Sequence, residues 1–215
     1  MKEYDLRKEA KKNAEYITPQ PLRKWFAEQI HRKHQDIESV FDPAVGSGQL
    51  MQYIKAQLYI GNDVNERALQ AFSDNFSHSE SYLSNYFEND VNKYEIVVSN
   101  YPFSLNAKDL LSDIPCELTQ FYPKGKVTGK ADWPFIIRSF LKAEKSGYFL
   151  CFPGIMYRQQ ENKFRDFLIK NNYVEKYGLL KNCKFEATNI DLVYLELQKN
   201  RTNTSIERFI YDFDE

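Results

Sequence analysis

The sequence predicts an α/β fold: a mainly parallel sheet with helices on both faces. Three observations predict it. Short apolar runs alternate with amphipathic stretches along the 215-residue chain, the order expected of a parallel sheet crossed by helices. Two of these runs end abruptly in polar and turn-forming residues, Val40-Phe41 before Asp42-Pro43-Ala44-Val45-Gly46-Ser47-Gly48 and Ile96-Val97-Val98 before Ser99-Asn100-Tyr101-Pro102-Phe103. Strands buried on both faces read as such continuous apolar runs, and open α/β sheets place their ligands at the strands' carboxyl ends. Finally, 42% hydrophobic and 27% charged residues give one domain with a sizeable core. No internal repeat, low-complexity segment or second domain is visible. The chain therefore reads as a single domain over 1–215, with an amino-terminal segment (1–34), a core sheet (35–199) and an extension (200–215).

Several function classes recede at this stage. No apolar run has the length of a membrane span, and Met1-Lys2-Glu3-Tyr4-Asp5 lacks the apolar core of a signal peptide. Cys116, Cys151 and Cys183 are odd in number, far apart and without metal-ligand spacing, as reduced thiols of a cytoplasmic protein are. A net charge of −1 argues against binding a polyanion by bulk charge but leaves room for a local basic face.

In chain order, Thr18 is placed to cap a helix whose first turn holds Pro19 and Pro21. Leu22, Trp25, Phe26 and Ile30 then follow at helical spacing, with Arg23, Lys24, Arg32 and Lys33 on the far face. Val40-Phe41 is a strand, and Leu50 to about Gln57 a helix. Leu58–Asp63 is the second strand, Glu66–Asn75 a helix, Ser81–Ser84 a third strand, and Glu95–Ser99 the fourth. Between Ser104 and Lys130 no period survives Pro115, Pro123, Gly125 and Gly129. Trp133–Lys142 is an amphipathic helix, Gly147–Pro153 a buried strand, and Asn162–Ile169 a helix. Val174–Leu180 and Leu192–Leu197 are further strands, and Ile206–Tyr211 a weak edge strand.

Chemistry concentrates at the strand ends. Gly46 and Gly48 let backbone approach a ligand closely. The phosphate-binding lysine of a P-loop is absent, and so is the third glycine of the dinucleotide fingerprint, so the loop suits a nucleoside cofactor without phosphates. Asp63 ends the second strand about twenty positions after the loop begins, where an acid holds ribose hydroxyls; alternatively Asp63 or Asn65 caps the next helix. Asn100 offers an acceptor and a donor, Tyr101 a main-chain carbonyl before a proline, and Phe103 a flat face. Two acceptors and an aromatic wall hold a planar exocyclic amine, although a strand followed by a turn with an aromatic plug would read the same. In the long loop, Lys108, Lys124, Lys126 and Lys130 interleave with Phe121 and Tyr122, a pattern suited to nucleic-acid backbone and unstacked bases or to a surface loop.

These motifs, in order and spacing, resemble those of adenine-N6 DNA methyltransferases, above all the modification subunits of type I restriction-modification systems. Tyr16-Ile17-Thr18-Pro19 resembles the family's amino-terminal cofactor motif, Phe41–Gly48 its S-adenosylmethionine loop, and Ser99–Phe103 its catalytic Asn-Pro-Pro-Phe motif. Lys181–Asp191 resembles the late segment with a Phe and a Thr. The resemblance implies a Rossmann-like class I methyltransferase fold with a seven-stranded sheet whose last core strand is antiparallel. It implies cofactor contacts from Tyr16, Thr18, Pro19, Asp42, Pro43, Ala44, Gly46, Gly48, Asp63, Asn85 and Asn100, and catalysis by Asn100, Tyr101, Pro102 and Phe103. The implied substrate is adenine in DNA, in a restriction-modification or mobile-element setting. DNA is expected to be held by Lys124, Lys126 and Lys130, with Arg23 and Lys24 as further candidates, and site choice to come from a separate specificity subunit. Tyr101, Asn85 and Ala14 depart from the family's usual proline, acid and glycine. The rival readings are a catalytically silent cofactor- or partner-binding module and a methyltransferase acting on RNA or on protein amides.

Overall fold

The computed structural model describes residues 17–88, 94–103, 105–185 and 188–215. Its centre is one eight-stranded sheet in the order β3-β2-β1-β4-β5-β7-β6-β8. The strands are β1 (Ile37–Asp42), β2 (Ala56–Asp63), β3 (Ser79–Leu83), β4 (Tyr94–Ser99), β5 (Ala143–Cys151), β6 (Val174–Phe185), β7 (Thr188–Gln198) and β8 (Glu207–Asp212). Every pairing is parallel except those of β7, which runs antiparallel between β5 and β6. The expected seven strands become eight because the tail pairs in parallel with β6, from Lys176 opposite Glu207 to Lys181 opposite Asp212.

Alternation along the central strands builds two cores. Phe41, Val97 and Phe149 face one side with Trp133, Ile136 and Phe140 of α4 (Asp132–Lys142). Val40, Ile96, Val98, Tyr148 and Leu150 face the other with Leu22, Phe26 and Ile30 of α1 (Gln20–His31). With both faces covered, Ile96, Val97 and Val98 are all fully buried. Two further helices flank the sheet, α2 (Glu66–Asn75) and α5 (Asn162–Lys170), and α3 (Ala107–Leu110) is a single turn.

Four expectations change. No helix spans 50–57: a 3-10 turn (Gln49–Met51) gives way to β2, whose Ala56 already pairs with Ile37. Leu50, Met51 and Ile54 still enter the core; their spacing fits a compact turn as well as a helix. Thr18 does not cap α1, which begins after Pro19 without a side-chain cap. Arg23 is buried rather than on a charged outer face and donates to Gln52 Oε1 at 2.7 Å. Finally, β6 and β7 run on well past the apolar runs that announced them. Within the expected loop, the stretch from Leu105 to Lys130 is also more ordered than an open loop. Ala107 N donates to Gly129 O at 3.0 Å and Ala131 N to Leu105 O at 2.9 Å, closing the loop on itself.

Away from the site, His34 lies in a polar cluster under the sheet. Its Nε2 sits 2.9 Å from the Tyr148 hydroxyl and 3.2 Å from that of Ser146. Burial holds its pKa below the ordinary value, while the surrounding charges of Glu95, Glu196, Lys145 and Lys33 act in both directions. The fold therefore favours the neutral ring. The unfolded chain takes up its proton first, so this contribution is whole above about pH 6.5 and is lost as pH falls from there through the lower folded value. Urea midpoints measured between about pH 5 and 7.5 are expected to drop on the acid side, and His34→Gln to flatten that drop.

Candidate active site

The residues singled out at the strand ends gather at the carboxyl edge of the sheet. Asp42 ends β1 in full burial, with Oδ1 accepting from Ala44 N at 2.9 Å and from the Ser99 hydroxyl at 3.1 Å. Burial pushes its pKa up to about 7, against those two bonds, and the nearby Asp63 charge adds to the rise. Asp63, half-buried at the end of β2, accepts from Gly46 N at 2.8 Å and from Asn65 N at 2.9 Å. Asn65 caps α2 itself, which leaves Asp63 to hold the glycine loop. A Cβ on Gly46 (φ +55°) would meet nothing within 4 Å, whereas one on Gly48 (φ +79°) would lie 2.5 Å from the Phe76 ring. Gly46 thus leaves open space beside the loop, and Gly48 is required by packing against α2.

Asn62 is a site residue that the sequence reading missed. Its main-chain carbonyl accepts from Val45 N at 2.9 Å. Its buried side chain donates to Pro43 O and Ser84 O and accepts from the Ser84 hydroxyl at 2.8 Å. It ties the loop after β1 to the end of β3. The available signal was a polar amide between the apolar run Leu58–Gly61 and the strand-ending Asp63.

Beyond β4, Asn100 donates from Nδ2 to Thr18 Oγ1 at 2.9 Å. Its buried Oδ1 has no hydrogen-bond partner. Thr18 is 4% exposed, and Pro19 forms the entry to α1. Tyr101 is buried and sends its ring away from the strand's mouth, into the core. There it stacks on Phe135 at 5.6 Å with planes 2° apart. Pro102 and Phe103 are half-buried, and Phe103 stands edge-on to Tyr101 at 5.9 Å and 6.4 Å from Phe152. Asn85 spends both amide donors on Leu110 O at 2.7 Å and Glu88 Oε1 at 3.2 Å, so only acceptor capacity remains. Tyr16 lies outside the described residues.

The long loop supplies a second surface on the same rim. Lys124 and Lys126 are exposed, and Lys130 donates to Asn106 Oδ1 at 3.0 Å. Lys126, Lys130, Lys108 and Arg158 line a cleft of about 760 Å³, which Lys124 does not enter. Arg158 is placed by two buried acids, Asp132 at 3.5 Å and Glu161 at 3.3 Å. Phe121 and Tyr122 are core residues and not stacking platforms: Phe121 stacks on Phe164 at 4.5 Å, and Tyr122 is 3% exposed.

The N-6 DNA methylase family model matches residues 1–76 and 64–215. The chain belongs to this family. The methylase subunit of the type I restriction enzyme MpnII from Mycoplasma pneumoniae is 27% identical over 89% of this chain and 41% of its own length. The type I methyltransferase subunit from Streptococcus thermophilus shares the fold with a TM-score of 0.77 at 20% identity, over 91% of this chain and 47% of that one. A putative RNA methyltransferase from Pyrococcus horikoshii gives 0.64 at 18% identity over 93% of each chain. The chain thus spans less than half the length of the type I relatives it matches. The eight-stranded sheet is that of the S-adenosylmethionine-dependent methyltransferases in their mainly parallel arrangement, with the tail strand added.

Within this site, Asn62→Ala is expected to lower stability by about 1–3 kcal/mol, because it leaves the half-buried Ser84 hydroxyl and two carbonyls short of partners. Denaturant unfolding compared with the parent chain measures it.

Proposed function

We propose that this chain is an enzyme, a single methyltransferase domain that moves a methyl group from S-adenosylmethionine to the exocyclic amine of an adenine in DNA. The observation that carries the reading is the orphaned Oδ1 of Asn100, buried at the carboxyl end of β4 beside Phe103 while Nδ2 is tied to Thr18. A buried acceptor without a donor is rare in native proteins, and an incoming amine supplies one. An adenine amine is a poor nucleophile because its lone pair is delocalised into the ring. Acceptance of its hydrogens by Asn100 Oδ1 and the Tyr101 carbonyl localises that lone pair, and Phe103 offers the base a face. This is positioning and electrostatic preorganisation. Paired adenine cannot reach such a site, so the base is flipped out of the duplex.

The residues present fit the cofactor. The open space at Gly46 admits it, Asp63 puts a carboxylate at the end of β2 where ribose hydroxyls would come, and Thr18 and Pro19 stand near Asn100 for its methionine end. When bound, it supplies a sulfonium methyl as electrophile. Family membership favours DNA over RNA or protein amides. The ring of Tyr101 lies in the core, so the departure from proline leaves the strand's mouth clear and no longer motivates a silent module. Lys124, Lys126 and Lys130 are assigned to phosphate contacts, which set affinity rather than sequence choice. The type I subunit relatives support a separate specificity partner.

Three measurements test this. Asn100→Ala should keep the fold and lower methyl transfer to DNA about a hundredfold or more; near-normal transfer would exclude the mechanism. Asp63→Ala should weaken cofactor binding by roughly 1–3 kcal/mol in calorimetry. Tyr101→Pro removes a buried, stacked ring and should cost about 3 kcal/mol or more in stability, while transfer per folded molecule changes little. Loss of that residual transfer would show that the tyrosine ring itself is needed.

A further inference from the structure

Gln49 carries an unmet demand of its own. It is 6% exposed, and both its amide atoms, Nε2 and Oε1, are buried without a hydrogen-bond partner. Buried side-chain amides are normally satisfied, because a lost donor or acceptor forfeits the bond it had with water. Packing does not account for the residue: its neighbours Leu50 and Met51 belong to the apolar core, where a leucine would meet no such penalty. Position does point to a ligand. Gln49 directly follows Gly48, and its 3-10 turn packs against α1 and β4, the elements that carry Thr18 and Asn100 at their ends. A neutral amide lacking both a donor's partner and an acceptor's partner calls for a group that offers both at once. The α-ammonium and α-carboxylate of an amino acid do so from one carbon.

We propose that Gln49 binds the amino-acid end of the cofactor, Oε1 accepting from the ammonium and Nε2 donating to the carboxylate. This rests on the cofactor reading above. The sheet order supports this polarity. Asp63, assigned to the ribose, ends β2 on one side of β1, and Asn100 follows β4 on the other. The adenine then lies towards β3 and the amino acid towards β4 and α1, where Gln49 sits. A contact with the adenine, which also offers a donor and an acceptor, would require the opposite order.

The test uses calorimetry with the full chain and two ligands, S-adenosylhomocysteine and 5′-methylthioadenosine, which has the same nucleoside but no amino acid. Gln49→Leu should weaken S-adenosylhomocysteine binding about tenfold or more and leave methylthioadenosine binding unchanged. The melting temperature of the ligand-free variant should stay level or rise, since two orphaned polar atoms are gone. Gln49→Met keeps the unbranched length and removes both polar ends, so it should show the same selective loss even where the branched leucine packs poorly. Equal losses for both ligands, or unchanged binding of both, would overturn the assignment. A parent chain that binds neither ligand would overturn the cofactor reading itself.

Discussion

The hydrogen bond from Asn100 to Thr18 is the constraint on which the site depends. It joins residues 82 positions apart, the lead-in to α1 and the end of the central strand, so the site exists only once the sheet and α1 are assembled. It also decides what Asn100 can do. An amide has one donor end and one acceptor end; pinning Nδ2 on the hydroxyl leaves Oδ1 as the unpartnered end. Thr18 is available for this because α1 starts with Pro19-Gln20-Pro21. A proline in the first turn has no N–H to satisfy, which lowers the need for a capping hydroxyl. A residue that looks like a helix cap is thereby released to orient an amide.

Tyr101 follows from a second constraint, the need to anchor the strand end to α4. Phe135 lies between two tyrosines, with Tyr86 at 5.8 Å and 9° on one side and Tyr101 at 5.6 Å and 2° on the other. The three rings form one stack between the end of β3, α4 and the segment after β4. Such stacking adds to plain burial, and it takes the tyrosine side chain out of the mouth of the site. Position 101 gives its side chain to the core, which leaves only its backbone at the strand's mouth.

The strand-end residues were legible because polar side chains that close apolar runs have few other readings. Asp42, Asp63 and Asn100 all fall where the pattern put them, and so does the parallel sheet; the antiparallel β7 was implied by the family resemblance alone. What was not legible depends on partners distant in sequence. Asn62 reads as a flaw in a strand until Ser84 and Pro43 are brought to it. The 105–130 stretch has no period because its order comes from the pairing of Asn106 with Lys130 and from packing of Phe121 and Tyr122. Arg23 reads as surface charge from its helix position, yet its side chain reaches Gln52 across the α1 interface. Local pattern fixes faces and ends of elements; it is silent on where a long polar side chain finds its partner.

The same separation of local from global explains how a chain of net charge −1 presents a basic rim. Asp42, Asp132, Glu161 and Glu196 are all buried, and Asp132 and Glu161 are turned on Arg158. Lys124 and Lys126 are exposed, and the cleft at the loop gathers Lys108, Lys126 and Lys130 beside the ion-paired Arg158 and Glu161. At physiological ionic strength charges interact over about 8 Å, so a nucleic-acid strand at this rim meets the local cations and little of the formal total. Contacts of this kind attract any phosphate backbone equally. On the function proposed above, the rim sets affinity, and sequence choice rests on base-edge contacts.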